Sequence, residues 1–190
     1  MRKQIRSGLL FTFLSVFATG CAYLNANYDA VVPGEFYRSG QMHEDAFRRR
    51  VEEFDVQTVI SLRSPAPGKS WYRDETAIAN ELGVAHYSLG WSKDRLPTPD
   101  ELRRYVELVE TSSKPILVHC AGGVHRSSVA SAVYLLMRNE DMEAARMQLI
   151  TGFAGAAIGR LLELYDGSEK PFGRWALEDY PALYEEHADS

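Results

Sequence analysis

The chain has 190 residues, 45% of them hydrophobic and 25% charged, with a formal net charge of -5 at pH 7. That length suits one domain with a sizeable core, and the balance excludes a disordered or fibrous protein. The acidic excess argues against a nucleic-acid partner, whose surface calls for basic residues, and no fixed period suggests a solenoid or propeller.

The first residues stand apart from the rest. Arg2, Lys3 and Arg6 form a basic start, Gly8 to Phe17 an uncharged apolar run, and Ala18-Thr19-Gly20-Cys21 a stretch of small residues ending at a cysteine. This is the plan of a secretory signal peptide over residues 1–20. The cysteine after small residues resembles the lipobox of bacterial lipoproteins, although Ala18 stands where that family usually has Leu. The resemblance implies lipidation of Cys21, which then becomes the new N-terminus. An uncleaved anchor and plain cleaved secretion are the alternatives, since Gly8 to Leu24 falls slightly short of the roughly 20 apolar residues that span a bilayer. All three place the domain outside the cytoplasm, and the first two attach it to a membrane that faces the periplasm or cell exterior. Removing residues 1–20 takes Arg2, Lys3 and Arg6 away and moves the net charge from -5 to -8. Cys21 and Cys120 are the only cysteines, so a lipidated Cys21 leaves Cys120 without a disulfide partner in the molecule. A lone thiol in an oxidising compartment is unusual, and must be either tolerated or needed.

Residues 21–32 read as a tether and 33–190 as the domain. Glu35 to Arg38 looks like a short strand broken by Ser39-Gly40. His43 to Phe54 has Phe47, Val51 and Phe54 at helical spacing, with Arg48, Arg49 and Arg50 largely outward. Gln57 to Leu62 is short and rich in β-branched residues, hence a strand, and Arg63 to Gly68 a loop. Trp71 to Leu82 is a helix stopped by Gly83. Val84 to Leu89 is a strand, followed by a loop from Gly90 to Pro97. Thr98-Pro99-Asp100-Glu101 is a capping box with Pro at the first helical position, opening a helix to about Val109. Pro115 to His119 is an apolar strand of the type buried between helical layers. Helices are expected over Ser127–Met137, Asp141–Ile150, Gly159–Tyr165 and in the tail from Trp175 to Glu186, broken at Pro181. Alternating strands and helices imply an α/β fold of three layers, a mainly parallel sheet flanked by helices.

The chemistry is concentrated in His119-Cys120-Ala121-Gly122-Gly123-Val124-His125-Arg126-Ser127. A buried strand ends in a cysteine, a glycine-bearing loop follows, and an arginine opens a helix. A helix N-terminus offers unsatisfied N–H groups and partial positive charge to a tetrahedral anion. Gly122 and Gly123 let the backbone form an anion nest, and the planar fork of Arg126 suits two phosphate oxygens. The same field should lower the pKa of Cys120 and present a thiolate, the attacking species, beside the bound oxyanion. Ala121, Gly122, Gly123, Val124, His125 and Arg126 are therefore the expected phosphate-binding residues.

Cys120 to Arg126 matches the Cys-x5-Arg signature, extended by His119, Gly123 and Ser127, and so resembles the protein tyrosine and dual-specificity phosphatases. Phe36 to Gln41, Val59 to Arg63 and Pro115 to Val118 resemble bacterial, atypical dual-specificity members, which are similar to plant and fungal enzymes that include inositol pyrophosphatases. The resemblance covers about residues 33–160. It implies a cysteine-phosphatase-like fold that works without metal or cofactor, and a phosphocysteine formed on Cys120. It implies phosphoryl binding by Arg126, a hydrogen bond from Ser127 to the leaving thiolate, and loop support by His119. The family also takes an aspartate from the loop after an earlier strand as general acid. Asp94, the only acid of Gly90–Pro97, is favoured; Asp100 is the rival, though the capping box already explains it.

Other readings are blander. His119, Cys120 and His125 lack the paired spacing of a zinc site. His43, His86 and His187 read as ordinary polar residues. Arg38 reads as structural, and Arg63 as either structural or cleft-lining. Trp71 and Trp91 read as core or loop aromatics, Trp91 with the option of stacking on a substrate. The neutral Ala121, Gly122 and Val124 favour phosphotyrosine or a broad aryl or alkyl phosphate over a polyphosphorylated inositol, against a weak pull from His125. The substrate is thus a phosphorylated protein or a small phosphate ester. A phosphate-binding pseudophosphatase and a rhodanese-like sulfur transferase are the alternative functions. No residue pattern bears on oligomeric state.

Overall fold

The computed structural model describes residues 26–150, 153 and 155–187. The expected signal peptide and Cys21 lie outside the described residues. Within them, the short apolar runs become five strands: β1 (Asp29–Val32), β2 (Phe36–Ser39), β3 (Thr58–Ser61), β4 (Ala85–Ser88) and β5 (Ile116–His119). The sheet order is β1-β2-β5-β3-β4. β5 lies parallel between β2 and β3, β4 is parallel to β3, and β1 closes the other edge antiparallel to β2. Ser39 and Ser61 both stand opposite His119. The chain therefore leaves three neighbouring strands at one level, where open α/β sheets place their ligands.

Strand alternation sorts the core. Phe36, Ile60, Ile116 and Val118 face one side, and Tyr37, Val59 and Leu117 the other. Helices α1 (Glu44–Glu53) and α2 (Ser70–Glu81) cover the second side through Phe47, Val51 and Ile78. The first side is covered by α3 (Pro99–Thr111) and α4 (Arg126–Met137), followed in the chain by α5 (Met142–Arg146), α6 (Arg160–Tyr165), α7 (Phe172–Glu178) and α8 (Tyr180–His187). Leu102, Tyr105, Val129, Val133, Leu161, Trp175 and Tyr180 fill that layer. Each such side chain contributes roughly 1.5–3 kcal/mol by leaving water. The expected three-layer α/β architecture is the observed one. No helix among the described residues is long and apolar enough to cross a membrane.

The capping box is formed as expected: Glu101 N donates to Thr98 Oγ1 at 3.2 Å, and Thr98 N donates to Glu101 Oε2 at 2.7 Å. Three elements differ from expectation. Residues 29–32, expected as tether, form the edge strand β1; its outer half is exposed, so it lacks the apolar run that marks β3 and β5. The helix expected to reach Ile150 ends at Arg146, having started from an Asp141 cap whose Oδ1 accepts from Ala144 N at 2.8 Å. The tail is broken at Asp179, two residues before the expected Pro181; that proline is the second residue of α8, where a missing N–H costs nothing, and α7 begins three residues before Trp175.

Candidate active site

Cys120 follows β5 directly and is 3% exposed. Its Sγ accepts from Gly123 N at 3.2 Å and lies 3.5 Å from Ser127 Oγ. Burial pushes the thiol pKa up, but the Ser127 hydroxyl and amide, the Arg126 charge and the Gly123 amide outweigh it and hold it below the ordinary value. The sulfur is thus tuned towards thiolate by its own loop.

The loop needs one of its two glycines for shape. Gly123 has φ +70°, and a Cβ there would lie 2.5 Å from Gly40 N; a Cβ on Gly122 would meet open space. Gly40 is the matching residue across the contact, since its own Cβ would come within 2.9 Å of Gly122 C. Ala121 and Gly122 are exposed, whereas Val124, His125 and Arg126 are half-buried. His125 stands at the N-terminal boundary of α4 without a side-chain capping bond, and its ring lies 5.7 Å from that of Phe153. Arg126 Nη1 donates to Leu62 O and Trp91 O, both at 3.1 Å, which anchors the guanidinium between the end of β3 and the start of the Gly90–Pro97 loop.

Behind the loop lies a buried polar network. Glu75, on the inner face of α2, is 4% exposed. Its Oε1 is bonded to His119 Nε2 at 3.0 Å and His86 Nε2 at 2.9 Å, and its Oε2 accepts from Gln41 Nε2 at 2.5 Å. His119 Nδ1 faces Cys120 O at 3.4 Å. Both nitrogens of His119 thus face oxygens, an arrangement that favours a proton on each. Burial opposes that charge, and the neighbouring Glu75 carboxylate overrides it, raising the His119 pKa. Burial likewise opposes the Glu75 charge, but His119 and His86 hold its carboxyl far below the usual range. Among the described residues, Glu75, His86 and His119 bring donor atoms within 4.8 Å of one another, close enough to hold a cation, and here Glu75 is hydrogen-bonded to both histidines.

Other candidates fall into place around this centre. Arg38 is buried and structural: its Nη1 donates to Ser128 Oγ at 2.8 Å and Gln148 O at 2.9 Å, and its Nη2 pairs with Asp29 at 3.3 Å. Arg63 is tied to the network by Nη1 donating to Gln41 Oε1 at 2.8 Å, and it stacks on Trp71 at 3.3 Å. Trp91 is 2% exposed and packs on Tyr105, so it belongs to the core and has no face for a substrate. The side chain of Asp94 is 72% exposed and pairs with Lys93. That of Asp100 is 85% exposed and pairs with Arg103 at 2.7 Å on the first turn of α3.

Sequence reasoning missed Asn27, Gly40, Gln41 and Glu75 as parts of the site. Gly40 and Gln41 stood within the family-like Phe36–Gln41 stretch. Glu75 had no signal of its own, being an acid on a helix whose partners are 11 and 44 residues away.

A protein-family model described as DSP-PTPase phosphatase fused to NAD+ kinase matches residues 24–158. No curated protein matches the chain. Among solved structures, the core catalytic domain of the PP-IP phosphatase SIW14 from S. cerevisiae, in complex with citrate, is similar at 22% identity and TM-score 0.62, over 81% of this chain and 93% of that one. TpbA of P. aeruginosa is similar at 21% identity and TM-score 0.58, over 81% and 92%. A cysteine-to-serine form of TpbA in complex with pTyr is similar at 21% identity and TM-score 0.56, over 81% and 97%. At these identities the likeness speaks for the fold.

Proposed function

The chain belongs to the DSP-PTPase phosphatase family, and from that premise we propose that it hydrolyses phosphate monoesters, phosphotyrosine or broad aryl and alkyl phosphates, through a phosphocysteine on Cys120. The observation that carries this reading is the buried sulfur of Cys120, 3.2 Å from the Gly123 amide and 3.5 Å from the Ser127 hydroxyl, with Arg126 opening the adjoining helix.

In this reading the Cys120 thiolate attacks phosphorus, and a P–S bond forms as the bond to the leaving oxygen breaks. The leaving oxygen takes a proton from Asp94. Water, giving a proton back to Asp94, then attacks the phosphocysteine; the P–S bond breaks and the Ser127 hydroxyl steadies the departing thiolate. Amides of residues 121–125 and the Arg126 guanidinium stabilise the equatorial oxygens throughout, the step where electrostatic help is largest. Asp94 is the proposed acid because it lies on the Gly90–Pro97 loop, in which the Trp91 carbonyl is bonded to Arg126, and its carboxylate, paired with the neighbouring Lys93, is mostly in water. The substrate reading rests on the neutral Ala121, Gly122 and Val124, which add no charge to meet further phosphates. The relative that is bound to pTyr supports the same class. Export, with lipidation at Cys21, remains part of the proposal; the mass of the membrane-extracted N-terminus tests it.

The deciding experiment is turnover of p-nitrophenyl phosphate by reduced protein. Wild type should release nitrophenol and Cys120→Ser should not. Absence of any turnover that this substitution abolishes would overturn the proposal.

A further inference from the structure

The segment just before β1 is tied to the outer side of the Cys120 loop. Asn27 Nδ2 donates to Gly122 O at 2.7 Å, across 95 residues of sequence. Gly40 N donates to Ala26 O at 2.5 Å, and the Asn27 Cβ lies within 2.9 Å of where a Cβ on Gly123 would be. The neighbours of Asn27 are fixed in turn. Tyr28 stacks on Tyr37 and Phe54 at 5.8 and 5.3 Å, with Arg50 over its ring at 4.6 Å, and Asp29 pairs with Arg38. Asn27 itself has φ +54°, a left-handed conformation that asparagine tolerates better than most residues.

A trans peptide is planar, so its C=O and N–H point in opposite directions. Gly122 O and Gly123 N–H belong to one such unit. The bond from Asn27 pulls the carbonyl outward, which turns the Gly123 N–H inward to the Cys120 sulfur at 3.2 Å. The preceding unit is treated alike: Gln41 N donates to Ala121 O at 3.0 Å, which turns the Gly122 N–H the other way. Two consecutive outward carbonyls are thus each held, one by a backbone amide and one by a side chain.

We infer that Asn27 is a positioning residue for the nucleophile loop, which sets the Gly122–Gly123 peptide so that its N–H serves the sulfur and the oxyanion beside it. This rests on the proposed phosphatase reading, since it concerns the same loop. It also assigns a part of the site to residues that the sequence places in a tether.

The test uses the full chain and two variants. Asn27→Gly keeps the left-handed backbone at no steric cost and removes the donor; Asn27→Asp keeps the shape and turns the donor into an acceptor. Two readouts are taken for each: the pH midpoint of Cys120 alkylation by iodoacetamide, and the affinity for vanadate followed by protection from that alkylation. Loss of one hydrogen bond should raise the midpoint by about half a unit to one unit and weaken vanadate by roughly three- to tenfold in Asn27→Gly, with a larger effect in Asn27→Asp. A purely structural role would lower the melting temperature and leave both readouts at wild-type values, which overturns the inference. Wild-type protein that vanadate does not protect would instead sink the phosphatase reading itself.

Discussion

Replacing Glu75 by Gln keeps the shape of the side chain and removes a buried charge that two histidines and one amide share. The side chains of Glu75 and His119 are 3% and 2% exposed, so neither partner can turn to water when the other is lost. Breaking a buried pair from one side typically costs about 3–5 kcal/mol, because the remaining charge is stranded. His119 can shed its proton, which limits the loss, and Gln retains an acceptor for one ring; about 3 kcal/mol is the reasoned figure. For a domain of this size that lowers the melting temperature by about 6–12 °C. The sign of the pH dependence follows from the two shifts. The His119 pKa is raised, so its contribution is full below its ordinary value of 6.5 and is lost as pH rises through its folded value. The Glu75 pKa is lowered, so its contribution is full above its ordinary value of 4.5 and is lost as pH falls through its folded value. The gap between wild type and Glu75→Gln should therefore be widest between those two values and narrow as pH rises through the folded value of His119 or falls through that of Glu75. Calorimetric melts from pH 4 to pH 9, with the alkylation midpoint of Cys120 followed in parallel, measure it. A variant that melts within a degree of wild type at every pH would refute the ion pair.

Asp94→Asn should slow p-nitrophenyl phosphate turnover by a hundredfold or so while vanadate still protects Cys120; full activity there, with loss in Asp100→Asn, would move the acid to α3. Iodoacetamide should alkylate Cys120 with a midpoint below the ordinary thiol value of 9, and Ser127→Ala should shift that midpoint upward, because the Ser127 hydroxyl favours the thiolate. Gly123→Ala should cost at least about 2 kcal/mol, since the left-handed backbone and the contact with Gly40 both disfavour a Cβ; urea unfolding measures it, and an unchanged midpoint would mean the loop relaxes freely.

What the sequence disclosed, and what it hid, divides by range along the chain. Cys120, Arg126 and Ser127 sit within eight consecutive residues between a strand and a helix, so their pattern and their geometry are nearly the same thing. Thr98 and Glu101 cap α3 from three residues apart, and Gly83 ends α2 with φ +72°; these are local rules with local outcomes. Glu75 is different. An acid on an amphipathic helix reads as solvent-facing, and only the packing of α2 against the sheet brings His119 to it. Asn27 is likewise an ordinary polar residue in a stretch with no apolar pattern, until the sheet carries Gly122 beside it. The half-exposed β1 was hidden for the same reason, an edge strand needing few apolar side chains.

The strand that delivers the sulfur is the middle one of the sheet, yet it comes last in order of synthesis. Its two neighbours are supplied by residues 36–39 and 58–61, so the pairing edges of both are filled only by residues 116–119, inserted between them. The bonds that join Asn27, Gln41, Leu62 and Trp91 to the Cys120 loop all reach across that insertion. The reactive centre and the central strand of the sheet are thus supplied by one stretch of chain, and a polypeptide that stops short of residue 116 lacks both.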